Sequence, residues 1–184
     1  MKKFEIELKW ASIYTAISIA WVYLEKYLGY HDEHVSSQAI FSFWLMVPQI
    51  LVYVFAIREK RELYYKGEIT WQKAFISGVV LSAVIGGLSP AAIYLMAELV
   101  TPEFFSNIVE VRAAQGIPRE GLEKVYNLNS YISQAIFNNL GSGVFFSAII
   151  ALILKNKKPW YRKNWKMAWN LNRFPVSGFF NAIR

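Results

Sequence analysis

The chain has 184 residues, of which 55% are hydrophobic, 17% aromatic and only 18% charged, with no cysteine and a formal net charge of +7. A water-soluble domain of this length cannot hide so much apolar surface behind so few charges, so a bilayer is the solvent this composition calls for. The missing cysteines exclude a disulfide framework, a thiol nucleophile and cysteine-held zinc or iron–sulfur sites.

The first apolar stretch runs from Trp10 to Leu28 and nearly crosses a hydrocarbon core of about 30 Å at 1.5 Å per residue. Lys2 and Lys3 precede it as in a secretory leader, yet Glu5 and Glu7 break the positive flank and the run continues through Trp21, Val22 and Tyr23, so it reads as a permanent helix. Glu25 and Lys26 fall in its last turn, and both are expected to reach the headgroup layer. The short connection that follows carries His31-Asp32-Glu33-His34. These nitrogen and oxygen ligands suit a transition metal, which makes His31 and His34 candidate ligands, but the spacing imposes no geometry and a hydrated polar loop is the plainer reading.

The second span covers residues 39–57 and is interrupted by Pro48 and Gln49. The third covers residues 74–97 and carries Ala74, Gly78, Ser82, Gly86 and Pro90 at intervals of four. Such a stripe lets another backbone approach closely, either within the chain or between subunits. The connection beyond it begins Thr101-Pro102-Glu103, a sequence suited to cap a helix, and continues through Phe104, Phe105, Ile108 and Val109 on one face, with a second short helix beginning at Pro118. Two amphipathic helices are expected there, packed across the ends of the bundle. The fourth span covers residues 132–154 and contains Asn138, Asn139, Gly141 and Gly143. Amides inside hydrocarbon need partners, so Gln49, Ser82, Asn138 and Asn139 are expected to form a polar interior, either fastening the helices or lining a path for a solute.

Orientation follows from charge. Residues 1–9, 58–73 and 155 onward hold sixteen Lys or Arg against five acids, whereas residues 25–37 and 98–124 hold four against eight. Lysine and arginine concentrate on the cytoplasmic side, so both termini and the 58–73 connection are expected there, with the two acidic connections outside. The fold class is therefore all-α: a polytopic integral membrane protein of four transmembrane helices, forming a domain over residues 1–158, followed by a basic aromatic tail over 159–184. In that tail Arg162, Lys163 and Lys166 alternate with Trp160, Tyr161, Trp165 and Trp169, a composition that suits attachment at the membrane interface, or contact with a protein partner, better than nucleic acid.

The segment KGEITWQKAFISGVVLSAVIGGLSPAAIYLMAELVTPEFF, residues 66–105, resembles the central signature of the DUF4199 family, bacterial membrane proteins of unknown function common in Bacteroidota; the likeness extends over roughly residues 5–158. The resemblance implies a small multi-helix inner-membrane protein with a helical outer connection between the last two spans, and it carries over no active residue. No phosphate loop, catalytic triad or ligand set favours an enzyme, and no cofactor is expected. The expected function is a non-enzymatic inner-membrane assembly or accessory protein, packing with itself or with other membrane subunits among membrane lipids; the alternative is a small-solute transporter or passive channel, ahead of a membrane sensor or an enzyme.

Overall fold

The computed structural model describes residues 3–156, and among these every regular element is helical. Helix α1 covers Glu5–Tyr27. A continuous helical run then extends over Val35–Tyr64, made of a 3-10 turn, α2 (Gln38–Ser42), a second 3-10 turn, α3 (Met46–Glu59) and a π-helical turn at Lys60–Tyr64. Pro48 lies in the first turn of α3, directly after the second 3-10 turn, where the backbone changes from one helical hydrogen-bond pattern to the other. Helix α4 covers Trp71–Leu95 and ends in a π-helical turn at Met96–Val100; two shorter helices, α5 (Phe104–Ala114) and α6 (Arg119–Val125), lead into α7 (Leu128–Leu154).

Three of these runs, Val35–Tyr64, Trp71–Val100 and Leu128–Leu154, are long and apolar enough to cross a membrane. Each extends past the interval read from hydropathy, because the polar turns flanking an apolar run continue its backbone hydrogen bonding. Helix α1 is not among the three: Tyr14, Thr15 and Ser18 dilute its interior and charged residues occupy both ends.

The largest helix–helix interface joins α4 to α7, and α1 packs on α4 and α3. Glycine makes the first of these possible. A Cβ on Gly78 would stand 2.1 Å from Oγ and 2.5 Å from Cβ of Ser147, and one on Gly143 would stand 2.3 Å from Oγ of Ser82. The α4 stripe thus meets a matching one on α7, Gly143, Ser147 and Ala151, so its close contact lies within the chain. Tyr53 is fully buried across this seam and donates a 2.9 Å hydrogen bond to Ser82. Gly86 faces Leu140 at an ordinary distance, and Pro90, half-buried, continues α4 beyond the stripe.

Side-chain bonds tie the two ends of the bundle. At one end Lys60 donates to both carboxylate oxygens of Glu7 at 2.6 and 2.7 Å and to the Lys3 carbonyl, Ser77 donates to Glu7 at 2.7 Å, and Asn156 bonds the backbone of Gly67 and Ile69. Residues 3–9, the 60–70 connection and residue 156 therefore share that end. At the other end α5 closes the bundle by burying Phe104 and Ile108 against Val35 and Met96. The expected Thr101 cap is not formed: α5 starts at Phe104, and the Thr101 hydroxyl bonds to His31 instead. The tail residues Trp160, Tyr161, Arg162, Lys163, Trp165, Lys166 and Trp169 lie outside the described residues.

Candidate functional site

Tight packing and open space divide the bundle along its length. Toward the 60–70 end, Val52, Tyr53, Ala56, Leu81, Ile85, Ile150 and Ala151 form a close-packed core. Toward the α5 end, the same helices leave between them a partly open cavity of about 700 Å³. Its wall begins on α7 at Gly141 and Ser142, where the Gly143 seam stops, and extends back to Tyr131; on α4 it extends from Ile85 to Met96. Small residues that draw two backbones together at one end leave room between the helices at the other.

The cavity wall is polar on three helices. Ser18 and Glu25 come from α1, and Gln38, Ser42 and Gln49 from the Val35–Tyr64 run. Asn138 and Asn139 come from α7. Of the four residues expected to form the polar interior, three therefore share this cavity, although they do not bond to one another. Gln49 is buried and donates to Ser142 at 3.1 Å, while Asn139 donates to the Ala135 carbonyl in its own helix. Ser82 is in the packed seam below.

The residue that hydropathy alone misplaces is Glu25. It does not reach toward headgroups but is 3% exposed, in a network at the α5 end of the cavity. Trp21 donates to one carboxylate oxygen at 3.1 Å, Ser42 donates to the same oxygen, and Gln38 donates to the other at 3.2 Å. His31 completes the set: it is fully buried, its Nε2 is 3.3 Å from Glu25 Oε2, and its Nδ1 is 2.8 Å from the Thr101 hydroxyl. Phe104 packs edge-on against the imidazole. A buried carboxylate needs several donors, and these four come from α1 itself, the connection after it and α2.

The HDEH segment is consequently split, and the hydrated-loop reading fails at His31. Its imidazole points inward, Asp32 accepts from Asn107 at 3.0 Å, and His34 is exposed beside Tyr30. Among the described residues no group of three or more His, Cys, Asp or Glu side chains is placed to hold a metal ion, so His31 and His34 do not form a metal site there.

A model of the protein family described as "Protein of unknown function (DUF4199)" matches residues 9–156. No curated protein and no solved structure matches the chain.

Proposed function

Since this chain belongs to the DUF4199 family, whose description assigns no activity, we propose from the geometry that it is a non-enzymatic membrane protein that binds a small polar solute in its intramembrane cavity. The observation carrying this reading is the cavity itself: about 700 Å³, with amides, hydroxyls and one carboxylate converging from three helices. The close-packed seam at Tyr53, Ser82 and Gly143 borders one end of this space, which favours a carrier-like binding site over an open pore. Expected as an assembly or accessory protein, the chain loses one support for that role, because its small-residue stripe is occupied by α7. Exposed Ile40, Leu99 and Ile153 suit contact with lipid tails, and a homo-oligomer or other subunits would have to meet the bundle on such faces.

Gly141 allows a direct test. A Cβ there would meet nothing within 4 Å, yet the residue lines the cavity. Gly141→Phe is expected to fill the space and leave the fold intact, so that compounds from a panel of neutral, anionic, zwitterionic and cationic metabolites raise the melting temperature of the wild type but not of the variant. If no compound distinguishes the two proteins, the solute reading fails; a stoichiometric partner in native mass spectra would then favour assembly.

The same proposal includes four crossings in a bacterial inner membrane, with both termini cytoplasmic. Glu7 and Glu25, the two buried acids of α1, are 18 positions apart, about 27 Å of helix, which approaches the thickness of a hydrocarbon core. Helix α1 can therefore cross while the bundle shelters both charges. The end that gathers residues 3–9 and the 60–70 connection is also the basic one, which supports its cytoplasmic placement. Single cysteines at the exposed positions Ser36, Gln115 and Glu62 are expected to react with a membrane-impermeant maleimide from outside at the first two only. External labelling at Glu62 would reverse this topology.

A further inference from the structure

We propose that the cavity selects a small organic cation, an ammonium-bearing group held by the field of Glu25 and by aromatic faces; this deepens the solute-binding reading and rests on it. Among the described residues lining the cavity, Glu25 is the only acid and there is no lysine, arginine or histidine. Its donors Trp21, Gln38 and Ser42 are neutral. His31 lies outside the lining, behind Glu25, with Nε2 toward the carboxylate and Nδ1 toward the Thr101 hydroxyl. Lys26, next in sequence, is turned away to the carbonyl of Val100, and Arg112 of α5 does not line the cavity. Neutral donors hold a carboxylate in place without cancelling its charge, and in a low-dielectric cavity that charge acts over several ångströms. Trp21, Phe43 and Tyr131 line the same wall, and aromatic rings are the second element of ammonium recognition. A neutral solute would use the amides and leave the carboxylate's field unused; an anion would oppose it.

The test pairs each cation with an uncharged isostere: choline with 3,3-dimethylbutan-1-ol, and n-butylamine with butan-1-ol, titrated into the full chain in an uncharged maltoside detergent. Each cation is expected to bind at least tenfold more tightly than its isostere, Glu25→Gln to reduce the preference below threefold, and Gly141→Phe to abolish binding. Because Glu25→Gln also disturbs a buried network, Asn138→Asp supplies an independent arm. It places a second carboxylate on the exposed part of the wall, without touching the donors to Glu25, and is expected to tighten choline binding severalfold. An ammonium group can arrive on a free solute or on a lipid headgroup; Glu25-dependent retention of phosphatidylethanolamine over phosphatidylglycerol in native mass spectra identifies the second source, and choline binding the first. Equal affinity for cations and isosteres overturns the charge inference while leaving the cavity reading intact, as does an Asn138→Asp variant with unchanged choline affinity. Failure of both cations and of selective lipid retention also overturns it, and the cavity reading falls with it only if the whole metabolite panel fails.

Discussion

Lys60→Met is expected to destabilise the protein by about 3–5 kcal/mol, the range for removing one partner of a buried ion pair. Lys60 and Glu7 are 3% and 1% exposed, and the ammonium donates to both carboxylate oxygens. Without it, Glu7 retains the Ser77 hydroxyl but no cation. The cost comes from the charge left behind, so Glu7→Leu combined with Lys60→Met is expected to recover most of the loss. Lys9→Ala provides the comparison, since the Lys9–Glu59 pair has Lys9 half exposed and is expected to contribute no more than about 1 kcal/mol. Reversible unfolding in mixed micelles measures all four proteins. A Lys60→Met variant as stable as Lys9→Ala would show that the pair is not buried in the membrane-embedded protein.

The second large effect is expected at Gly78. Its added Cβ would overlap Oγ, Cβ and even Cα of Ser147, the last at 3.3 Å, so Gly78→Ala must force α4 and α7 apart, at a cost of roughly 1–3 kcal/mol. All three close atoms belong to one residue, which makes the remedy specific: Ser147→Gly in the same chain is expected to restore much of the stability by moving the gap to the opposite helix. Gly141→Ala meets no neighbour and is expected to be neutral or stabilising by about 0.5–1 kcal/mol from helix propensity. Detergent-dependent melting temperatures rank the variants. Equal losses at Gly78 and Gly141 would mean that helix bending, and not close approach, governs these glycines.

Much of this architecture is legible in the sequence because membrane helices announce themselves by length and apolarity. Three of the four expected spans reappear as long apolar helical runs, and the α4 stripe from Ala74 to Gly86 lies on a packed face. Its counterpart on α7 is equally visible as Gly143, Ser147 and Ala151 at intervals of four, but the amides beside it draw attention first. The site is less legible. Gln49, Asn138 and Asn139 stand out as amides in apolar surroundings and do line one cavity. Glu25 and His31 do not stand out: near the end of an apolar run, an acid that reaches headgroups and one that turns inward have the same sequence neighbours. What separates them is a partner such as Thr101, 70 positions beyond His31, and only the tertiary fold brings it near.

The spacing of those partners also has a consequence for the order of events during synthesis. Helix α1 leaves the ribosome first among the four long helices, yet Glu7 must wait for Lys60 and Ser77, and the Glu25–His31 pair is completed only when Thr101 has been made. Until then Glu7 has no permanent partner, in the least apolar of the long segments. The final docking of α1 therefore follows the synthesis of α4, which supplies Ser77 and leads into Thr101.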